Sequence, residues 1–168
     1  LDCLICENKN EDASLFVHKL SGMYRYMLKN EIDTLIPLRD ELAFVGMYTD
    51  LLKVRFSCGF EVRTDVPEEF MSFQVVPCSI QMLVENALKH NRVSPGNPLY
   101  IDMVAKDNRF IVTNTISPRM ASSEESTKVG LNYIRQQYID LSGNDIEVID
   151  DGKTYSVSLP LLPVQKTT

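Results

Sequence analysis

The chain has 168 residues, 44% of them hydrophobic and 24% charged, enough for one folded core and unlike a disordered or low-complexity polypeptide. A formal net charge of -6 argues against a nucleic-acid surface, which needs clustered Lys and Arg to neutralise phosphates. No apolar run approaches the ~20 residues that cross a bilayer as a helix.

In chain order, apolar positions recur at helical spacing from Asp2 to about Asn30, through Leu15, Phe16, Leu20, Met23, Tyr24 and Met27. Pro37 interrupts, and a second helical stripe runs from Leu38 to Phe56 through Leu42, Val45, Tyr48, Leu51 and Leu52. Two helices about a proline break predict an antiparallel pair. Past Gly59 the grammar changes, with Phe60 to Arg63 alternating like a strand and Phe73 to Val76 forming a second extended piece. Pro77 is placed to open a helix from Cys78 to His90, whose buried side is Ile80, Leu83, Val84, Ala87 and Leu88. Asn91 to Pro98 reads as a loop. Leu99 to Val104 and Arg109 to Thr113 read as strands joined through Lys106-Asp107-Asn108. Ile116 to Lys128 lacks any period and predicts a loop, followed by a helix from about Gly130 to Leu141. Strands at Ile146 to Ile149 and Tyr155 to Leu159 flank the turn Asp150-Asp151-Gly152-Lys153. Helices on a largely hairpin-connected sheet give an α+β class, and the change of grammar sets a boundary between residues 1–58 and 59–168.

Cys3, Cys6, Cys58 and Cys78 form neither a zinc pattern nor a disulfide framework and read as free thiols. The polar cluster Glu85, Asn86, Lys89 and His90 carries more chemistry. Its members lie on adjacent turns of one helix end, so that Asn86 can share a face with Lys89 or His90. An amide oxygen suits Mg²⁺, a lysine supplies a point charge to a phosphate, and a glutamate can orient or deprotonate a group. On residue chemistry alone, a solvated helix end explains the same cluster.

Leu83-Val-Glu-Asn-Ala-Leu-Lys-His90 resembles the N box of the histidine-kinase-like (GHKL) ATPases, in the form typical of LytS-type sensor histidine kinases. Leu20 to Leu28, Leu38-Arg-Asp-Glu-Leu42 and Tyr48 through Phe56 resemble that family's linker, and Gly130-Leu-Asn-Tyr-Ile134 its second glycine box. The resemblance implies a Bergerat α/β sandwich, a mixed sheet with helices on one face, preceded by a helical hairpin. It implies ATP and Mg²⁺ as cofactors, with Glu85, Asn86 and Lys89 catalytic and Asn86 the metal ligand. Asn86, Lys89, His90, Asn114, Lys128, Gly130, Leu131 and Asn132 would hold the nucleotide. Asn114 would read the adenine amino group, and the helix from Gly130 would aim its N-terminal amides at the phosphates. The 116–128 loop would be a lid over the nucleotide. Transfer of the γ-phosphoryl group to a histidine on an upstream helix, then to a response regulator of the LytTR type, would be the activity. A homodimer through the N-terminal helices and a membrane-anchored parent, with this part in the cytoplasm, follow from the same resemblance.

The sequence departs from the pattern in three places, one of them Lys128, which stands where the second box often has a glycine. Asn114-Thr-Ile-Ser-Pro118 replaces the aspartate and the glycines of the first glycine box. A neutral acceptor in place of a charged one weakens binding about fivefold, roughly 1 kcal/mol. The acceptor histidine motif is missing, and the chain starts at Leu1, which reads as a fragment cut after that motif. His18 lies downstream of where the motif would be and reads as a surface or interface residue. Two rivals stand beside the kinase reading: a degenerate module that only scaffolds dimerisation or regulator docking, and a GHKL ATPase of another kind. Tyr24, Arg25, Tyr26, Arg55 and Phe56 are expected to pack the hairpin against the ATPase unit rather than form a recognition patch.

Overall fold

In the computed structural model, which describes residues 10–30, 35–56, 59–118 and 125–164, the described part opens with two helices, α1 (Asn10–Asn30) and α2 (Leu38–Phe56). Their contacts descend along one helix as they climb the other. Lys19 bonds Asp50 at 2.7 Å, Gly22 lies beside Met47, and Tyr26 stacks on Phe44 with ring centroids 4.2 Å apart. That sequence of pairs is the expected antiparallel hairpin. Tyr24 and Arg25 face solvent, so of the expected packing residues Tyr26 performs the role. The side chains of Arg55 and Phe56, like Cys3, Cys6 and Cys58, lie outside the described residues.

Two sheets follow. A short antiparallel pair joins β1 (Ile36–Pro37) to β3 (Gln74–Val75). The main sheet has the order β2 (Phe60–Asp65), β4 (Leu99–Lys106), β5 (Arg109–Thr115), β7 (Thr154–Pro160) and β6 (Glu147–Asp150). β2 and β4 are parallel and every other neighbouring pair is antiparallel, so the sheet is mixed. Strand alternation decides which face is dry. Leu99, Ile101, Met103 and Ala105 on β4 are buried together with Phe110, Val112 and Asn114 on β5. The register puts Val157 and Leu159 of β7 on the same face. Against that face pack α3 (Ser79–His90), through Ile80, Leu83, Val84, Ala87 and Leu88, and α4 (Glu125–Ser142), through Ile134 and Tyr138. The opposite face carries Asp102, Thr113 and Ser156, with Arg63 over the Tyr100 ring at 4.9 Å. Helices therefore cover one face only, the expected α+β sandwich.

Three local expectations are corrected. β4 runs two residues longer than predicted, because Asp107 and Asn108, at φ 52° and 56°, form a two-residue turn by themselves, two left-handed residues being what a tight hairpin demands. β5 gains two at its other end, where Asn114 and Thr115 stay paired with β7. Pro77 does not open α3, which starts at Ser79 after a left-handed Cys78 at φ 60°. And α4 begins at Glu125, five residues before Gly130, so the expected loop of 116–128 is shortened at its far end.

The N-terminus of α3 is satisfied from a distance. Cys78 offers no side-chain cap. Instead Glu41, from the first turn of α2 and fully buried, accepts the Cys78 N–H at 3.0 Å, the Ile80 N–H at 3.1 Å, and a further bond from the Gln81 backbone. The Tyr26 hydroxyl of α1 donates to the same carboxylate at 2.6 Å. Orphan amides and the positive helix end both favour an anion there. The Leu38 N–H also reaches the Phe73 carbonyl at 2.7 Å and the Arg39 N–H the Met71 carbonyl at 3.1 Å. The segments on either side of residue 58 are thus tied by a strand pair and by one carboxylate.

Burial dominates the chemistry of that carboxylate, holding it above the ordinary glutamate range, while its four donors pull it back toward the charged form. Burial and the neighbouring Glu41 together push the Cys78 thiol up to about 11, so it stays protonated at neutral pH. A carboxyl that binds its proton more tightly when folded contributes stability below its unfolded pKa of ~4.3. That contribution is lost as pH rises through the folded value. Urea unfolding at a series of pH values from 4 to 8 should therefore show wild type losing stability relative to Glu41→Gln as pH rises. A difference that does not change with pH would contradict the assignment.

Candidate functional site

One wall of the main cavity is a helical stripe. Leu83, Asn86, Ala87 and His90 of α3 recur at i, i+3, i+4 and i+7, which places them on a single face, and all four line a cavity of about 230 Å³. Its floor is the dry face of the sheet at the open ends of β5 and β7, contributed by Val112, Asn114, Tyr155 and Val157. Leu131 of α4 and Ile116 and Pro118 after β5 close the sides, with Asp150 at the end of β6. The volume is below the ~300–1,000 Å³ typical of ligand clefts. It suits a flat ring buried inside and the rest of a ligand lying outside.

Asn114 ends the alternation that buries Phe110 and Val112, so strand geometry alone turns it into the cavity, where it is 6% exposed. Its amide nitrogen donates one of its two hydrogens to the Thr115 carbonyl at 2.8 Å, a bond that fixes the amide's orientation at the cavity. Asn86 sits two turns along α3 from the Glu41 cap. It faces Gly130 closely: a β-carbon there would stand 3.8 Å from the Asn86 amide nitrogen and 3.4 Å from the Met82 methyl.

Asn91 holds the far end of α3. Its amide nitrogen donates to the Ala87 carbonyl at 2.9 Å, and its oxygen accepts the Ser117 N–H at 2.6 Å. The Arg92 N–H adds a bond to the Ser117 carbonyl at 2.7 Å. The helix end and the exit of β5 are thereby strapped together over the cavity, by a side chain only 5% exposed.

Among the sequence-predicted site residues, Asn86, His90, Asn114 and Leu131 meet at the cavity, and Gly130 adjoins Asn86. Glu85 and Lys89 do not line it. They are exposed on the stripe of Gln81, whose amide donates to Glu85 at 3.0 Å, because positions 81, 85 and 89 repeat at i+4 on the outer flank of α3. Asn132 is exposed on α4, since Leu131, Ile134 and Tyr138 take that helix's inner face. The Lys128 side chain lies outside the described residues. Gly130 stands in the second turn of α4, where its N–H belongs to the helix's own ladder; the free amides expected at residue 130 belong instead to the turn that starts at Glu125. Asn91, Asp150 and Tyr155 are cavity residues that the sequence did not single out. Tyr155 could have been found from the alternation of β7; Asp150 and Asn91 carried no periodic signal. His18 is exposed on α1.

The electrostatics are lopsided. Asp150 carries the only formal charge among the residues that line the cavity, and none of them is Lys or Arg. Among the described residues no three His, Cys, Asp or Glu side chains gather as a metal site. A divalent ion here would draw on the Asn86 amide oxygen and on oxygens brought by a ligand, a donor set that suits Mg²⁺. Among the described residues no helix is long and apolar enough to cross a membrane.

Comparison with known proteins points one way. The histidine kinase family model matches residues 1–60. The sensor protein LytS of Enterococcus faecalis is 27% identical over 169 aligned positions, covering 87% of this chain and 28% of that protein. The sensor histidine kinase BtsS of Escherichia coli is 33% identical over 86 positions, 51% of this chain and 15% of its own length. The chain therefore spans well under a third of these relatives. In fold, the nucleotide-free catalytic domain of histidine kinase ThkA is similar with a TM-score of 0.55, at 16% identity over 77% of this chain and 97% of that one. The cytoplasmic segment of histidine kinase QseC gives 0.52, at 16% identity over 76% of each chain.

Substituting Asn91→Ala leaves the Ser117 N–H without its partner, while the Ala87 carbonyl keeps the backbone N–H of residue 91 at 3.2 Å; the orphaned amide costs about 1–3 kcal/mol. A thermal melt should fall by roughly 3–10 °C; an unchanged midpoint would mean the strap carries no load.

Proposed function

Because the chain is a region of a LytS-type sensor histidine kinase, with the fold of the histidine kinase catalytic domains, we propose that its cavity binds the base of ATP and that its α3 face directs the phosphates. The observation that carries this reading is the convergence of Asn86 and Asn114 on one apolar cavity from opposite walls. The Asn114 amide oxygen, oriented by the amide's bond to Thr115, accepts from an exocyclic amino group and so favours adenine. Val112, Val157 and Leu131 supply the apolar surfaces between which a purine ring lies. Asp150 repels phosphate and sets the polarity of the ligand, with the base toward β6–β7 and the phosphates toward Asn86 and His90. Among the described residues no Lys or Arg lines the cavity, so a Mg²⁺ ion would supply the charge that neutralises the phosphates. Asn86 supplies the protein's ligand to that ion. Lys89 and Glu85, exposed on the neighbouring stripe, act at the phosphate end outside the cavity, the lysine as a point charge and the glutamate on the acceptor's proton. Positioning and charge neutralisation do most of the work in phosphoryl transfer.

The acceptor in this reading is a histidine on an upstream helix of the parent kinase, and a LytTR-type response regulator takes the phosphate from it. The hairpin of residues 1–58 pairs with a second copy in a dimer, and residues 59–168 form the catalytic unit. A membrane anchor elsewhere in the parent keeps this region in the cytoplasm. The scaffold reading retains one support, the replacement of the first glycine box by Asn114-Thr-Ile-Ser-Pro118.

Thermal unfolding separates the two. A nucleotide at a hundred times its dissociation constant stabilises the folded state by about 2.7 kcal/mol, a rise of roughly 5–10 °C for a domain of this size. The rise should require Mg²⁺ and vanish in Asn86→Ala. No shift at millimolar ATP or ADP would favour the scaffold.

A further inference from the structure

Glu41 is the only ionisable side chain among the buried polar residues described, and it touches no part of the cavity. It belongs to α2, yet three of its four hydrogen bonds go to the first turn of α3 and the fourth comes from α1. A Ser, Thr or Asp as N-cap at position 78 would satisfy one of those amides locally. This chain instead has Cys78 there, left-handed and without a cap, and takes its cap from an element 37 residues earlier.

The consequence follows from the rigidity of α3. From Ile80 to Asn86 the helix rises about 9 Å, and its buried flank packs on the sheet, so a displacement of its first turn moves Asn86 and His90 with it. The same turn is held on its other side by α4, where the Tyr138 hydroxyl accepts the Val76 N–H at 3.4 Å and bonds the Ser79 side chain. Glu41 of α2 and Tyr138 of α4, neither of which lines the cavity, therefore pin the start of the helix that forms its wall. At Gly130 of α4, a β-carbon would stand within 3.4 Å of Met82 and 3.8 Å of Asn86 on α3, so the two helices are also neighbours there. Tyr26 contributes from α1 through one hydroxyl, while its ring stacks on Phe44.

We propose that Glu41 is a positioning residue for the nucleotide site: held by Tyr26, its carboxylate fixes the start of α3 and so makes ligand affinity at Asn86 depend on the geometry of the α1–α2 hairpin. The inference rests on the reading that the cavity binds nucleotide. It assigns the buried acidic residue of the Leu38-Arg-Asp-Glu-Leu42 stretch a role that neither the hairpin's packing nor the cavity's own lining requires.

The test uses the whole chain and Mg-ADP as probe, with calorimetric affinities measured at a temperature where circular dichroism shows each protein fully folded. Tyr26→Phe keeps the stacked ring and leaves the three backbone bonds of Glu41, so it should fold. Its affinity should fall about threefold, and that of Glu41→Gln about tenfold. In the double variant the loss should be less than the product of the two, because both act through one carboxylate. Lys19→Ala, which breaks the exposed pair with Asp50 in the same hairpin, should bind as wild type does. If Glu41→Gln does not fold, Tyr26→Phe decides alone. Lower melting points with wild-type affinities would make Glu41 purely a stability residue and overturn the inference while leaving the nucleotide site intact. Failure of wild type itself to bind Mg-ADP would overturn the site reading, and this inference with it.

Discussion

A single carboxylate, Glu41, has no exposure to solvent and joins three helices. A buried ionised group is tolerable only when its lone pairs are met, and here a hydroxyl from α1 and the first-turn amides of α3 meet them. Both sides gain. The α3 amides have no local cap, and the carboxylate has no solvent. Removing either partner strands the other, which is why this contact constrains the fold more than its size suggests. With the β1–β3 pair beside it, the node fixes how the hairpin and the sheet domain sit together, and it fixes where α3 begins.

The position of α3 determines the rest of the site. One flank of the helix is committed to the sheet, so its polar residues divide by angle. Asn86 and His90 turn into the cavity, whereas Glu85 and Lys89 follow Gln81 to the outside. At the other end Asn91 ties the helix to the exit of β5, where the alternation of that strand delivers Asn114. The cavity is therefore framed by two polar devices, the Glu41 cap and the Asn91 strap, neither of which presents a charge to it. Among the described residues that line it only Asp150 is charged, which is the physical reason a divalent cation belongs in the account.

Most of the architecture was legible because it rests on period. The 3.6-residue stripe of α2 and that of α3, the alternation in β4 and β5, and the Asp107-Asn108 turn announce themselves in the sequence, and α2 begins and ends where its stripe does. What period cannot show is where a satisfied polar group finds its partner. Glu41 reads as an ordinary acidic residue in a helix's first turn, and nothing local links it to Cys78. Pro77 was a good candidate for the start of α3, but a left-handed residue intervened once the cap came from elsewhere. The early start of α4 was hidden because Glu125 to Lys128 carry no apolar stripe; packing further along the helix extends it through them. Asn86 and Asn114 were singled out through motif resemblance, and the structure brings both to one cavity. Asn91 and Asp150 lie at element ends, where neither period nor motif gave a signal.

The most direct test of the account is a crystal structure of this chain with a non-hydrolysable ATP analogue and Mg²⁺. The base should lie between Leu131 and the Val112–Val157 floor, with its amino group on the Asn114 oxygen. The metal should touch Asn86, and Glu41 should still cap α3. A nucleotide bound away from this cavity, or crystals grown at saturating analogue with the cavity empty, would contradict the central claim.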